Sequence, residues 1–148
     1  VFERIMKKLT VFTPTFNRAY CLHQVYESLC RQPNRNFIWL IIDDGSTDNT
    51  KETVQKWVDE KVIEIIYLYQ ENGGMHSTYN TAYENCTTEL IICIDSDDYM
   101  AENAVEKILS FWDNYGSSKF SGLVGLDADF DGNIIGKEFP EGLSSSTL

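Results

Sequence analysis

The 148-residue sequence is short of basic residues: 12 Lys and Arg stand against 23 Asp and Glu, for a formal net charge of −11 at pH 7. This balance argues against a nucleic-acid partner, because such a partner requires a basic surface. It does not exclude a nucleotide, because clustered carboxylates can hold a divalent cation that in turn binds phosphates. No apolar run approaches the ~20 residues that a membrane-spanning helix needs, so we expect no membrane segment in this chain.

Cysteine and histidine are also sparse. The four cysteines, at positions 21, 30, 86 and 93, include no C-x-x-C pair, and there are only two histidines. These spacings argue against a zinc site and against a disulfide framework. We therefore expect reduced thiols and a cytoplasmic protein.

Apolar runs that resemble strands alternate with stretches of helical periodicity along the chain. The runs lie at residues 9–13, 37–42, 62–68 and 90–94, and the helical stretches at 22–30, 54–58, 79–86 and 104–112. This alternation predicts an α/β protein with a mostly parallel sheet. The second and fourth runs are apolar throughout, which predicts strands covered on both faces. Residues 122–126 are interpreted as a further strand, and Asn49 with Glu52 as the cap of the second helix.

The segments that follow the four strands carry the candidate functional residues, because ligands of parallel sheets bind beyond the carboxyl ends of the strands. Asp95, Asp97 and Asp98 emerge together from an apolar run and include a D-x-D motif. Three neighbouring carboxylates are costly to hold without compensation, and a divalent ion with oxygen ligands supplies it. The alternative is that these acids only complement the following helix dipole.

The segments after the second and third strands each have a functional and a purely structural interpretation. A carboxylate of the pair Asp43 and Asp44 could accept from an N–H of a planar base, or could serve only turn and cap chemistry. Gly73 and Gly74 could let the backbone approach a ligand, or could simply form a tight turn.

Residues 127–138 match the calcium-loop pattern D-x-[DN]-x-[DN]-G-x₅-E. An EF-hand needs a helix on each side of this loop, and neither flank has helical periodicity. A strand–turn–strand hairpin with Asp131, Gly132 and Asn133 at its tip explains the same residues. A calcium-binding or interaction module that uses the loop from Asp127 to Glu138 stays open as an alternative function.

Four segments together resemble family 2 of the inverting glycosyltransferases: F-T-P-T-F-N-R at 12–18, I-D-D-G-S-T-D at 42–48, N-G-G at 72–74 and I-D-S-D-D at 94–98. Each motif is modest alone, but the four in this order are specific. The resemblance covers about residues 8–140. It implies the GT-A fold, which is a Rossmann-like, mostly parallel sheet flanked by helices, and a nucleotide-diphosphate sugar as donor.

The resemblance also implies roles for individual residues. Pro14, Thr15 and Phe16 would line the base pocket, with Phe16 where the family usually has a tyrosine that stacks on uracil. Asp44 would accept from the base, in the first place from N3–H of uracil, and Asp97 would contact the ribose.

The remaining roles concern the diphosphate and the sugar. Asp98, with help from Asp95, would hold Mg²⁺ or Mn²⁺ against the diphosphate. The residues expected near the phosphates or the sugar are Gly74, His76 and Asn80. Met75 stands where the family often has a basic residue, which shifts the stabilisation of the diphosphate towards the metal.

The implied reaction moves a sugar, with inversion, from a UDP-sugar to a hydroxyl of a glycan or lipid-linked acceptor. Its usual setting is polysaccharide or cell-envelope glycan synthesis at the cytosolic face of a membrane. Inversion needs a general base, which in the family lies further along the chain than Leu148. We therefore expect residues 1–148 to be the donor-binding portion of one GT-A domain, truncated at its C-terminus, which binds nucleotide but transfers sugar poorly.

Overall fold

A computed structural model of the chain describes residues 7–137. Four strands alternate with four helices, and two short strands follow. The elements are β1 (Leu9–Thr15), α1 (His23–Cys30), β2 (Phe37–Asp43), α2 (Thr50–Glu60), β3 (Ile65–Tyr69), α3 (Met75–Asn85), β4 (Leu90–Cys93), α4 (Ala104–Tyr115), β5 (Asp127–Ala128) and β6 (Ile134–Ile135).

The first four strands form one parallel sheet in the order β3-β2-β1-β4. Thr15 at the end of β1 is in register with Asp43 at the end of β2, and Asp43 is in register with Tyr69 at the end of β3. The segments after these strands therefore leave the sheet at the same edge, as the sequence predicted.

Both faces of the sheet carry a hydrophobic core. On one face, β1 and β2 pack against α1, α2 and α4; on the other, they pack against α3 around Ala82. Trp39 of β2 is fully buried and its ring stacks on Tyr26 and Trp57 at centroid distances of 6.1 and 5.8 Å. Every residue of β2 is buried, which confirms the prediction from its uninterrupted apolar run.

Two strands differ from their prediction. β3 begins at Ile65 rather than at Val62, because Lys61 has a left-handed backbone (φ 55°) after α2 and Val62 is half-exposed. β4 is only half-buried, although its apolar run predicted cover on both faces. Within residues 7–137 it is one of the two edge strands of the sheet and pairs on one side with β1.

One further sequence prediction is wrong and another is confirmed only in position. Residues 122–126 form no strand; Val124 is 73% exposed, and no strand within residues 7–137 pairs with this segment. Asn49 occupies the N-cap position of α2, as predicted, but its side chain makes no capping hydrogen bond. Asp48 does so instead, because its Oδ1 accepts from the backbone N of Thr50 at 3.0 Å.

The chain divides into two compact units, one ending at Tyr115 and the other beginning at Gly116. Within the second, β5 and β6 form an antiparallel pair. In the part of the chain from residue 7 to residue 137, no helix is both long and apolar enough to cross a membrane. The four cysteines, which all lie in the first unit, have free thiols.

Candidate functional site

Asn17 joins the segment after β1 to the segment after β2. Its side-chain Oδ1 accepts from the backbone N of Thr47 at 2.8 Å and of Asp48 at 3.2 Å, and its own backbone N donates to Ser46 Oγ at 2.8 Å. Asn17 has φ 54°, a conformation that asparagine tolerates better than most residues. A second bond, from Ala19 N to Asp48 Oδ2 at 3.1 Å, fixes the same pair of loops.

Asp44 joins the segment after β2 to the start of α3. Its buried carboxylate accepts from Gly73 N at 2.9 Å and Gln70 Nε2 at 2.7 Å through Oδ1, and from Gly74 N at 2.8 Å through Oδ2. Burial opposes ionisation, but these three hydrogen bonds outweigh it and lower the pKa of Asp44, with the charge of His76 acting in the same direction. Asp44 is thus held as a buried carboxylate anion.

Asp43 and Asp44 differ in what they bind. Asp43 is fully buried, and its carboxylate accepts from Ser46 N at 2.8 Å and from the Tyr67 hydroxyl at 2.5 Å. Burial and this bond to Asp43 raise the pKa of Tyr67 well above its ordinary value. Asp43 therefore serves the turn, and Asp44 is the member of the pair that reaches the third loop.

The end of β1 contributes one exposed ring and one buried hydroxyl. Phe16 is 48% exposed, as a ring that stacks on a ligand must be, and Pro14 is half-buried beside it. Thr15 is 3% exposed, and its Oγ1 has no hydrogen-bond partner within residues 7–137. A buried hydroxyl without a partner is costly, so Thr15 is suited to a ligand that supplies one.

The acidic segment after β4 contacts the segment after β1. Arg18 Nη1 lies 3.6 Å from Asp97 Oδ2, and the buried Cys21 thiol donates to the backbone carbonyl of Ser96 at 3.4 Å. The side chains of the three aspartates in this segment are exposed, and the backbone N of Asp98 donates to the carbonyl of Asp95 at 3.1 Å.

The donor set of this segment fits Mg²⁺ or Mn²⁺ bound together with a substrate. No group of three or more His, Cys, Asp or Glu side chains within residues 7–137 forms a metal cage. A magnesium ion, however, is usually bound by one or two carboxylates plus substrate phosphates and water. The exposed carboxylates of Asp95 and Asp98 match that arrangement.

The third loop ends in the N-terminus of α3. Gly74 adopts φ 81° immediately before the helix, and Met75, His76 and Asn80 are exposed on its first two turns. Backbone N–H groups at a helix N-terminus favour anions. The positions of Gly74, His76 and Asn80 are therefore compatible with the diphosphate and sugar roles expected from the sequence.

Asn17, Gln70 and Asp48 were not identified by sequence reasoning. Each bonds a residue at least 26 positions away, so no local pattern reveals its role. The role of Asp43 had a local signal, because an Asp followed by turn-forming residues often accepts from a backbone N–H of the turn.

The segment that matches the calcium-loop pattern is a hairpin. The segment contains β5 and β6, and in the turn between them Asp129 accepts from the backbone N of Asp131 at 3.0 Å and of Asn133 at 2.8 Å. This confirms the predicted strand–turn–strand geometry. Residues 116–126, upstream of the loop, are not helical, and Glu138 lies outside the described residues.

Comparisons with known proteins bear on the same residues. Residues 10–130 match the family model "Glycosyl transferase family 2". Poly(ribitol-phosphate) beta-N-acetylglucosaminyltransferase TarS of Staphylococcus aureus is 29% identical over 114 residues, which cover 76% of this chain and 20% of TarS. Glycosyltransferase GlyA of Streptococcus pneumoniae is 31% identical over 101 residues, covering 68% of this chain and 14% of GlyA. The chain thus spans a fifth or less of the length of these relatives.

Solved structures of glycosyltransferases also superpose on this chain. A crystal structure of part of S. aureus TarS in complex with UDP-GlcNAc superposes with a TM-score of 0.68 at 27% identity, covering 73% of this chain and 32% of that one. A mannosyltransferase from Pyrobaculum calidifontis, in complex with GDP-Man and Mn²⁺, has a TM-score of 0.66 at 22% identity, covering 71% and 32%. The second likeness concerns the fold alone.

Proposed function

Because the chain belongs to glycosyl transferase family 2, we propose that it binds a UDP-sugar at the carboxyl edge of its sheet and transfers the sugar to an acceptor hydroxyl with inversion. The GT-A fold expected from the sequence is confirmed by the superposition on TarS. A crystal structure of part of TarS contains UDP-GlcNAc, and this supports a uridine nucleotide as the donor.

The state of Asp44 carries the proposal. A carboxylate offers about four acceptor positions, and three of those on Asp44 are taken by Gly73, Gly74 and Gln70. Within residues 7–137 this leaves one position, which we assign to an N–H of the ligand. A buried anion with one such position suits the N3–H of uracil, and the exposed ring of Phe16 suits the face of the base.

The diphosphate end of the donor is assigned to the acidic segment and to α3. Asp97 is proposed to contact the ribose, while Gly74, His76 and Asn80 line the path of the phosphates and sugar. A divalent ion held by Asp98 with Asp95, Mg²⁺ or Mn²⁺, would stabilise the negative charge that develops on the departing nucleoside diphosphate.

The acceptor is proposed to be a glycan or a lipid-linked glycan of the cell envelope, glycosylated on the cytoplasmic side of a membrane. The name of TarS, a poly(ribitol-phosphate) glycosyltransferase, supports this class of acceptor. Inversion requires a general base to deprotonate the attacking hydroxyl. We assign that role to no residue of this chain.

Titration calorimetry of UDP, with and without Mn²⁺, tests the proposal. We expect Mn²⁺ to strengthen UDP binding by about tenfold, which is about 1.4 kcal/mol. The variant Asp98→Ala should lose this enhancement. The matched control Asp59→Ala, at an exposed aspartate of α2, should keep it.

Two outcomes contradict the proposal. One is the absence of UDP binding by the wild-type chain in both conditions, and the other is an undiminished Mn²⁺ effect in Asp98→Ala. Loss of the metal effect in Asp131→Ala, but not in Asp98→Ala, would instead favour the calcium-binding module at residues 127–138.

A further inference from the structure

Gln70, the residue directly after β3, connects three parts of the site. Its side-chain Nε2 donates to Asp44 Oδ1 at 2.7 Å and to Ser77 Oγ at 3.0 Å. Its Oε1 accepts from the Thr81 hydroxyl at 2.7 Å. One amide thus links the end of β2 to the first two turns of α3.

The chemistry of its partners fixes the orientation of this amide. An ionised carboxylate can only accept, so the amide nitrogen must face Asp44. The Thr81 hydroxyl donates to the amide oxygen and so holds the other end. The backbone N of Gln70 also donates to the carbonyl of Asp43 at 2.9 Å, which fixes the start of the side chain.

Gln70 and the two glycines before α3 together hold the Asp44 carboxylate. Oδ1 accepts from both Gln70 and Gly73, which fills its two positions. Among residues 7–137, Oδ2 accepts from Gly74 only. The acceptor position that remains is therefore on Oδ2, and rotation of the carboxylate is opposed by three donors.

We propose that Gln70 is a positioning residue for base recognition, which holds the Asp44 carboxylate so that the remaining position on Oδ2 accepts from N3–H of uracil. The inference rests on the proposed function, in which Asp44 contacts the base. Cytosine carries no hydrogen at N3, so in the same pose it would place an acceptor against an acceptor. Gln70 therefore contributes to the preference for UDP over CDP.

The variant Gln70→Glu tests this directly, because it replaces the amide donor by a carboxyl group of the same shape. Two carboxyl groups in contact cannot both ionise without repulsion, so they share one proton at low pH. With that proton present, the introduced group still donates to Asp44. Without it, the introduced group repels Asp44 and the carboxylate loses its orientation.

The measurement is the affinity for UDP and for CDP, by calorimetry on the full chain, at about pH 5.5 and about pH 8, on either side of the expected raised pKa of the carboxyl pair. Among the described residues, His76 on α3 acts electrostatically on Asp44, and the preceding residue, Asp43 on β2, accepts from the hydroxyl of Tyr67 on β3. The variant and the wild type both contain these three groups, so the pH profile of the wild type measures their contribution.

The matched control is Gln55→Glu. Gln55 also donates through Nε2 to an aspartate, Asp59 Oδ1 at 2.9 Å, but on the exposed surface of α2. The variant Gln55→Glu therefore loses the same kind of hydrogen bond, but at a place away from the site.

We expect Gln70→Glu to bind UDP as the wild type does at the lower pH. At the higher pH we expect about tenfold weaker binding and a ratio of UDP to CDP affinity that falls towards one. The wild type and Gln55→Glu should keep their ratio at both pH values. An unchanged ratio in Gln70→Glu at both pH values, or an equal reduction at both, would overturn the proposal.

A second variant keeps the test decisive if Gln70→Glu does not fold. Thr81→Val removes the hydroxyl that orients the Gln70 amide while leaving Asp44 and Gln70 in place, and it should lower the ratio severalfold. A wild-type ratio in folded Thr81→Val would contradict the inference. A wild-type protein that binds UDP and CDP equally would instead refute base recognition by Asp44, and with it the proposed donor.

Discussion

At the scale of single residues, two buried threonines of β1 have opposite environments. Thr13 Oγ1 accepts from Trp39 Nε1 at 3.0 Å, within the aromatic core. Thr15 Oγ1, two residues further and on the same strand, has no hydrogen-bond partner within residues 7–137. Both side chains are at least 97% buried, so burial does not account for the difference. The two threonines differ in position, because Thr15 lies at the carboxyl edge of the sheet, where the ligand is proposed to bind.

We predict that Thr15→Val stabilises the ligand-free protein by about 1–3 kcal/mol and weakens UDP binding. The expected gain in the free energy of unfolding comes from removing a buried hydroxyl that has no partner. Valine is also favourable in a β-strand. Urea unfolding and UDP calorimetry measure the two effects.

The matched control is Thr13→Val, which should be destabilised because it leaves the Trp39 N–H without its acceptor. Shifts of both variants in the same direction would argue that the Thr15 hydroxyl is not in an unfavourable environment.

Sequence reasoning reached part of this residue-level picture. It placed Asp44 and Phe16 in segments that follow strands, where ligands of parallel sheets bind, and the family resemblance gave both a role in base binding that stays a prediction. It did not identify Gln70 or Asn17, which join the loops through hydrogen bonds to residues 26 to 31 positions away. Such residues look like ordinary loop residues until the fold brings their partners to them.

At the scale of elements, the position of α3 depends on the glycine pair before it. A Cβ at Gly73 would lie 2.8 Å from both Cβ and Oγ of Ser77, closer than packed atoms approach. Ser77 is in the first turn of α3 and bonds Gln70. The absence of a side chain at Gly73 therefore allows the loop, the helix and Asp44 to meet.

We predict that Gly73→Ala destabilises the protein by about 1–3 kcal/mol, the usual cost of overpacking, and weakens UDP binding at the same time. The measurements are urea unfolding and calorimetry.

Gly122→Ala is the control, because an added Cβ there has no heavy atom within 4 Å, and it should change neither property. If Gly73→Ala were as harmless as the control, the close packing of the loop against α3 would be wrong.

The elements themselves were largely predictable. The alternation of apolar runs with helical periodicity identified all four strands and four helices of the sheet unit, because burial sets both patterns. The start of β3 was missed because it depends on the left-handed Lys61. The strand expected at 122–126 was wrong because an apolar run becomes a strand only when another strand pairs with it.

At the scale of the whole molecule, the first unit offers two candidate places for an anionic ligand at opposite edges of the sheet. One is the carboxyl edge described above. The other is a cavity of about 350 Å³ at the amino ends of β2 and β3, where three basic residues, Lys7, Arg35 and Lys61, outnumber one acidic residue, Glu64, among apolar side chains. In a protein with net charge −11, such a basic cavity is the natural competitor for a nucleoside diphosphate.

The most direct test of the account is therefore an NMR titration of the ¹⁵N-labelled chain with UDP in the presence of Mg²⁺. We predict that the largest shifts occur at the backbone amides of Thr15, Gly73 and Gly74, since the last two donate to Asp44. Shifts concentrated instead around Arg35 and Lys61, with the carboxyl edge unchanged, would contradict the assignment of the donor site.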